Sequence, residues 1–222
     1  MCGRFTLFVD PKDLMEAFPG FTVPLDWTPR YNIAPSQPIA VIPNNGQNQI
    51  EFYRWGLIPS WAKDPSIGNR MINARAETVA EKPSFRGAYR RRRCLVLADG
   101  FYEWRKEPGR AKTPMYIRLK SGQPFAFAGL WEAWRAPDDQ TILSCNIITT
   151  APNSLVAQIH NRMPVILEPD AYDLWLDPAE QSPDRLDAWL RPYPASQMTA
   201  YPVSRLVNSP GNDSPDCILP AA

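Results

Sequence analysis

The chain has 222 residues, of which 44% are hydrophobic and 11% aromatic. This length is sufficient for one substantial hydrophobic core and short for two. The net charge of +1 argues against a strongly basic protein that coats duplex DNA. Residues 1–118 contain 18 basic and 11 acidic side chains, whereas residues 119–222 contain 6 and 12, so the first half can carry a basic face. A solvated surface that is merely uneven explains the same asymmetry equally well.

The start of the chain has neither the basic first residues nor the apolar run of a secretory signal. No stretch approaches the ~20 apolar residues that a membrane-spanning helix needs. The sequence therefore predicts a cytoplasmic protein without a membrane segment. The four cysteines are widely scattered and the chain has a single histidine, so we expect free thiols, no metal and no cofactor.

The first predicted element is a short helix. Asp10 can cap it, Pro11 suits its first position, and Pro19-Gly20 ends it. The side chains expected to form its buried face are Leu14, Met15 and Phe18.

Extended segments dominate the chain after this helix. Residues 39–43 and 49–55 flank Asn44-Asn45-Gly46 and predict a hairpin. Further strands are predicted over residues 94–99, 115–119, 125–130, 141–149 and 199–203. Helical patterns cover residues 153–159, 169–176 and 185–190. With 25 prolines opposing long helices, we expect one α+β domain over residues 1–222, with a mainly antiparallel, barrel-like sheet and short peripheral helices.

Cys2 is the first residue with distinctive chemistry. A small second side chain favours removal of Met1, which would give Cys2 a free α-amine with a pKa near ~8. Such an amine captures an aldehyde as an imine, and the thiol of the same residue can then close a thiazolidine ring at high effective concentration. Taken alone, a cysteine at position 2 is more often a small, partly buried residue of no special chemistry.

Two further segments carry candidate polar groups. In residues 71–78, Asn73, Arg75 and Glu77 alternate with small or apolar residues, so an extended backbone would point all three to one face. They suit contacts to a sugar or a phosphate, or form an ordinary polar strand face. Glu103 lies among aromatic residues that could raise its pKa and make it a proton carrier, although a water-exposed glutamate at a strand end is the simpler interpretation.

His160 is the single histidine, and Arg162 follows it in a turn stiffened by proline. The histidine can shuttle protons or act as a structural hydrogen-bonding residue, and Arg162 suits a phosphate. Trp61 beside basic residues suits stacking on single-stranded DNA, although tryptophan in a sheet protein is usually core. The run of arginines at 90–93 is either a phosphate patch or a solvated strand edge.

Seven motifs in one order carry a resemblance that covers essentially the whole chain: MCGRF, RYNIAPSQ, WGLIPSWAKD, MINARAET, ADGFYEW, IHNRMPVIL and YPVSRLVNS. Together they resemble the SOS-response-associated peptidase (SRAP) family. That family cross-links its N-terminal cysteine to abasic sites in single-stranded DNA through a thiazolidine. The resemblance implies the same activity here, in DNA damage repair, with single-stranded DNA containing abasic sites as partner and a monomer as the acting form.

The resemblance also implies roles for particular residues. Cys2 corresponds to the nucleophile, Asn73 to the asparagine that orients the sugar, Glu103 to the acid/base, and His160 to the group that opens the sugar ring. The positions expected to contact DNA or line its pocket are Arg4, Asn32, Pro35, Trp61, Arg75, Trp104, Thr149 and Arg162. Some members carry two tandem tryptophans, whereas Ala62 follows Trp61 here.

Two other functions remain open on the sequence. One is an autoproteolytic cysteine peptidase that uses Cys2 as an N-terminal nucleophile, with Glu103 assisting removal of leading residues. The other is a non-catalytic reader of single-stranded DNA that forms no covalent product. Every covalent route through the Cys2 amine requires Met1 to be removed.

Overall fold

The computed structural model describes residues 2–24, 27–109 and 111–221 of the chain. The strands are β1 (Phe5–Leu7), β2 (Arg30–Ile33), β3 (Pro38–Pro43), β4 (Glu51–Trp55), β5 (Asn73–Arg75), β6 (Arg93–Ala98), β7 (Gly100–Arg105), β8 (Thr113–Leu119), β9 (Phe125–Arg135), β10 (Thr141–Thr150), β11 (Met163–Pro164), β12 (Ile166–Leu167) and β13 (Met198–Pro202). The α-helices are α1 (Pro11–Ala17), α2 (Arg86–Arg91), α3 (Tyr172–Leu176) and α4 (Pro183–Asp187). No helix among these described residues is long and apolar enough to cross a bilayer.

Five strands close into a barrel in the order β4, β3, β6, β9 and β10, with β10 pairing back to β4. The predicted hairpin is confirmed as β3 and β4, which pair from Pro38 opposite Arg54 to Val41 opposite Glu51. Closure leaves the barrel strands without free edges. The prediction of an α+β, mainly antiparallel, barrel-like fold is therefore confirmed. The parallel pairings of β10 with β4 and β5 were not predicted.

A second sheet, in the order β13, β8, β7, β1 and β2, packs beside the barrel. In this sheet Phe5 of β1 lies opposite both Phe101 of β7 and Ile33 of β2. The carbonyl of Arg4 accepts a hydrogen bond from the backbone N–H of Tyr102 at 2.9 Å. This register brings the start of the chain alongside the middle of β7.

The helices agree with the sequence only in part. α1 begins after Asp10 with Pro11, as predicted, but Met15 is 52% exposed and its predicted place on the buried face is wrong. Leu14 and Phe18 lie four residues apart on one helical face, and Met15 is turned about 100° away from Leu14. The helix predicted over residues 153–159 is also wrong, because that segment contains only a 3₁₀ turn over Val156–Gln158.

Two further predicted elements start or stop elsewhere. α4 begins at Pro183, before the predicted start at residue 185, because proline is favourable at the first helical position. In residues 71–78 the backbone is extended only over β5 and then turns into a 3₁₀ turn over Ala76–Thr78. The prediction that strand alternation aligns Glu77 with Asn73 and Arg75 is therefore wrong.

The four arginines at 90–93 have different surroundings. Arg90 and Arg91 are about half exposed and form ion pairs with Glu180, and Arg92 pairs with the buried Glu132. Arg93 is fully buried. Its guanidinium donates to backbone carbonyls that belong to Tyr89, Arg90, Trp175, Asp177 and Ala179. Arg93 thus ties the end of α2 to the segment after α3, and neither a phosphate patch nor a solvated edge describes it.

Replacing Arg93 with methionine is expected to lower the free energy of unfolding by about 3 kcal/mol or more, because several buried carbonyls lose their donor. Arg91→Met is the matched control, since it removes an equal charge from a surface ion pair and should cost less than about 1 kcal/mol. Urea unfolding of both variants measures the difference. Equal costs would contradict the structural role of Arg93.

Candidate active site

Cys2 is fully buried and lies three residues before the start of β1 at Phe5. Its Sγ lies 4.0 Å from the carbonyl oxygen of Arg4. Burial raises the pKa of the Cys2 thiol well above its usual range, and the nearby Glu103 carboxylate acts in the same direction. The other three cysteines are also buried, and all four thiols are free, as predicted. The Cys2 thiol is therefore protonated at neutral pH.

Asn73 of β5 holds the main chain of Cys2. Its Nδ2 donates a 2.8 Å hydrogen bond to the Cys2 carbonyl oxygen. Parallel pairing with β10 places Asn73 opposite Ile147 and fixes this position from the barrel side. Its Oδ1 is buried and accepts no hydrogen bond from the residues that the structure describes. A buried acceptor of this kind is costly when left unpaired, and a ligand hydroxyl at Cys2 would satisfy it.

Glu103 lies in the middle of β7, between β1 and β8, and is only 3% exposed. The interpretation as a water-exposed strand end is therefore wrong. Burial raises the pKa of Glu103 from 4.5 to about 7. Both its protonated and its ionised forms are consequently populated near neutral pH, which suits a group that gives and takes protons.

His160 follows the 3₁₀ turn at Val156–Gln158, and its Nε2 lies 3.9 Å from a carboxylate oxygen of Glu103. On its other side, Nδ1 lies 3.1 Å from the backbone nitrogen and 3.3 Å from the carbonyl oxygen of Arg162. In the contact with the backbone nitrogen, Nδ1 accepts from the N–H, which requires the neutral Nε2–H tautomer. In the contact with the carbonyl oxygen, Nδ1 donates, which requires the Nδ1–H tautomer or the protonated ring. Burial lowers the pKa of His160, so the neutral form prevails at neutral pH.

Glu103 and His160 face a cleft of about 560 Å³ between the β7–β8 hairpin and the segment after β10. Trp104, Lys106 and Lys112 lie along the same cleft. The structure thus brings together the four residues with predicted chemical roles: Cys2, Asn73, Glu103 and His160. With Met1 removed, Cys2 would present an amine and a thiol beside a carboxyl group with a pKa near 7 and a neutral imidazole, a set of groups that suits carbonyl addition and dehydration.

Two residues expected at the DNA interface, Arg4 and Asn32, are buried in a network with the C-terminal segment. Arg4 is 9% exposed and donates to Asn32 at 2.8 Å and to the carbonyl of Val207 at 2.6 Å. Asn32 has no exposed surface, and its Nδ2 donates to carbonyls of residues 207–212. The Trp104 ring lies 5.8 Å from the Arg4 guanidinium. Arg4 and Asn32 therefore fix the C-terminal segment over residues 207–212.

Arg162 is held by its surroundings rather than extended into solvent. Its guanidinium forms a bidentate ion pair with Glu77, at 2.5 and 2.9 Å, and donates to the carbonyl of Thr149 at 2.6 Å. Thr149 itself is fully buried in β10. The ion pair with Arg162 lowers the pKa of Glu77. The partnership of Glu77 with Arg162 had no signal in the sequence, because 85 residues separate them.

The remaining predicted contacts lie at the surface. Trp61 is 59% exposed, which is unusual for a residue of its size, and Arg75 is exposed at the end of β5. Pro35 is half-buried in the turn after β2. Sequence reasoning missed Lys106 and Lys112, which the β7–β8 hairpin places beside Glu103. Lys106 could have been identified from the sequence, because side chains two residues apart on an extended strand point to the same face and Lys106 follows Trp104 at that spacing.

Comparison with known proteins assigns the family. The model of the SOS response associated peptidase (SRAP) family matches residues 1–210. The chain belongs to the SRAP family. The abasic site processing protein YoqW of Bacillus subtilis (strain 168) is 52% identical, over 98% of this chain and 99% of that protein. The abasic site processing protein HMCES of Rattus norvegicus is 31% identical, over 100% of this chain and 76% of that protein.

The SRAP fold is also seen in solved structures. A crystal structure of a protein from Bacteroides thetaiotaomicron matches over the full length of both chains with a TM-score of 0.89 and 28% identity. A phage-related protein from Bordetella bronchiseptica matches 92% of this chain and 95% of its own with a TM-score of 0.71 and 29% identity. The resemblance drawn from the seven sequence motifs is therefore confirmed at the level of family and fold.

The raised pKa of Glu103 predicts a pH-dependent effect on stability. Between pH 4.5 and about 7 the unfolded chain releases the Glu103 proton while the folded chain keeps it, so this residue lowers stability as the pH rises. Glu103→Gln should therefore gain up to about 3 kcal/mol relative to the parent between pH 4.5 and pH 8. Urea unfolding of both proteins across this range measures the gain. A difference that does not change with pH would contradict the raised pKa.

Proposed function

We propose that this protein processes abasic sites in single-stranded DNA by forming a thiazolidine between Cys2, after removal of Met1, and the aldehyde of the abasic sugar. One observation carries the proposal. Cys2 can present both an α-amine and a thiol once Met1 is removed, and Asn73 holds its carbonyl group. Cys2 also lies within electrostatic range of Glu103, whose carboxyl group has a pKa of about 7. The names of the relatives YoqW and HMCES support the same class of substrate.

The reaction begins at the amine. An α-amine with a pKa near ~8 is about one-tenth neutral at pH 7, whereas burial keeps the Cys2 thiol protonated. The amine therefore adds first to the C1′ aldehyde and gives a carbinolamine. Loss of water gives the iminium ion, and the sulfur then adds to the same carbon after the thiol gives its proton to a base. The balance is aldehyde plus aminothiol to thiazolidine plus one water.

Glu103 is assigned both proton transfers. In its protonated form it donates to the departing hydroxyl of the carbinolamine, and the resulting carboxylate then accepts the thiol proton. A pKa of about 7 makes neither step strongly uphill at neutral pH. Asn73 fixes the Cys2 carbonyl, and its buried Oδ1 is assigned to a sugar hydroxyl.

His160 is assigned to ring opening. An abasic deoxyribose exists mainly as a closed hemiacetal, so the aldehyde must be released before the amine can add. A neutral imidazole accepts the proton of the C1′ hydroxyl, and the proton returns to the ring oxygen as the carbon–oxygen bond breaks. The lowered pKa of His160 keeps the ring in the neutral form that this step needs.

The exposed side chains of Trp61 and Arg75 are assigned to the DNA strand. Exposed tryptophans stack on bases and exposed cations contact phosphates in proteins that bind single strands. Arg162 can bind a phosphate only after its guanidinium releases the Glu77 carboxylate. In this proposal Arg4 and Asn32 support the strand indirectly, by fixing residues 207–212.

Cys2→Ala is expected to abolish the covalent product with an abasic oligonucleotide on a denaturing gel. The variant keeps an α-amine after Met1 removal, so borohydride should still trap its imine. Cys94→Ala is the matched control, since it removes a different buried thiol and should leave the product unchanged. Intact mass of each purified protein checks that Met1 is absent.

The two other functions predict different results. A non-catalytic reader forms no covalent product with the parent protein, and Cys2→Ala then binds DNA equally well. An autoproteolytic peptidase retains Met1 in Glu103→Gln and releases it in the parent. A stable product that survives Cys2→Ala without reductant contradicts the thiazolidine.

Trp61→Ala should weaken binding of single-stranded DNA by about 1–3 kcal/mol, the range for loss of one stacked base. Its stability should change little, because most of the side chain is already in water. Phe52→Ala is the control, as it removes another large exposed aromatic side chain, 46% exposed, from the barrel strand β4. Fluorescence anisotropy with an undamaged oligonucleotide gives both affinities. Equal losses would contradict a stacking role for Trp61.

A further inference from the structure

The cleft beside Glu103 and His160 is lined by two lysines to which the proposed chemistry at Cys2 assigns no role. Its volume is about 560 Å³, and its walls are the β7–β8 hairpin and residues 157–161. Lys106 directly follows β7 at the start of the hairpin loop, and Lys112 directly precedes β8 at its end. Both lysines are exposed and both line the cleft.

The pairing of β7 with β8 places Lys106 and Lys112 next to each other at the base of the hairpin loop. Arg105 pairs with Thr113, so Lys106 and Lys112 are the next residues on the two arms of the hairpin. Glu107 accepts from Arg105 and from Thr113, at 3.0 and 2.9 Å, and these bonds brace the base of the loop. Among the described residues that line the cleft, Glu103 supplies the single carboxylate. The cleft mouth is therefore positively charged.

The positive charges of the two lysines influence the pKa of His160. Burial lowers the pKa of His160, and the ammonium groups of Lys106 and Lys112 act in the same direction. A phosphate bound between the lysines would thus lie within electrostatic range of His160. The Trp104 ring forms another wall of the cleft, and its indole N–H is held by Asn208 at 2.7 Å. A fixed aromatic wall beside paired cations suits one nucleotide with its phosphate.

We propose that Lys106 and Lys112 form a phosphate subsite, which seats the DNA backbone on the Glu103–His160 side of the abasic sugar. This inference rests on the proposed function, because it takes the sugar to lie at Cys2. Trp61 and Arg75 do not line this cleft, so the subsite would give the strand a further point of attachment. An added point of attachment limits the movement of the aldehyde relative to the amine.

Binding is best measured in a Cys2→Ala background, where no stable covalent product interferes. Lys106→Gln/Lys112→Gln should bind an abasic oligonucleotide on the order of tenfold more weakly, and the slope of log affinity against log salt should fall by about 1.4. Lys12→Gln/Lys120→Gln is the charge-matched control. Lys12 lies on α1 in an exposed pair with Glu16, and Lys120 lies beyond the opposite end of β8 from Lys112.

The position of the phosphate can be tested with oligonucleotides that carry one neutral methylphosphonate linkage at a time. One linkage next to the abasic site should weaken binding of the protein with both lysines and leave the double glutamine variant unaffected. The inference is overturned if the salt slopes of the two double variants agree, or if no linkage distinguishes the proteins.

The outcome is separable from that of the proposed function. A protein with intact Cys2 that forms no covalent product contradicts the thiazolidine, whatever the lysines do. If that product forms and the lysine variants bind and react like their control, the phosphate subsite alone is wrong. Thermal unfolding of the variants confirms that an altered affinity does not come from an altered fold.

Discussion

The site depends on how firmly the first strand is fixed. Chain termini normally fray, and a reactive group at a terminus would be lost to motion unless the neighbouring residues are anchored. Here β1 pairs on both sides, with β2 and β7, and Phe5 packs edge-on against Trp55 and Phe127 at centroid distances of 5.1 and 5.9 Å. One aromatic side chain thus joins the second sheet to the barrel, and the nearby Cys2 has little freedom.

The same burial that fixes the site sets its electrostatics. Desolvation disfavours every charged form, so it raises the pKa of Cys2 and Glu103 and lowers the pKa of His160. At neutral pH the thiol and the imidazole are therefore neutral, and Glu103 is poised between its two forms. Positive charge lies at the periphery, on Arg75 and along the hairpin that carries Lys106, where it can meet phosphate without the cost of burial.

Local patterns predicted much of this molecule, whereas pairwise contacts over long distances could not be predicted. Hydrophobic strands and turn residues were sufficient to predict the β3–β4 hairpin. The family motifs selected Cys2, Asn73, Glu103 and His160, which the structure brings together and whose chemical roles stay predictions. The burial of Glu103 depends on β1 and β8 flanking β7, which no local pattern encodes. The same holds for Arg93, whose charge suggested a surface but whose carbonyl partners lie up to 86 residues away. The prediction for Met15 was wrong for a local reason, since helical spacing of four selects Leu14 and Phe18.

We propose that the aldehyde of an abasic site becomes joined to both the nitrogen and the sulfur of Cys2. Intact mass followed by peptide mapping, after incubation with an abasic oligonucleotide, tests it most directly. A thiazolidine predicts a species equal to the Met1-less protein plus the oligonucleotide minus one water, with the adduct on the N-terminal peptide and the Cys2 thiol resistant to alkylation. An adduct on a lysine, an adduct on a chain that retains Met1, or a Cys2 thiol that still alkylates would contradict it.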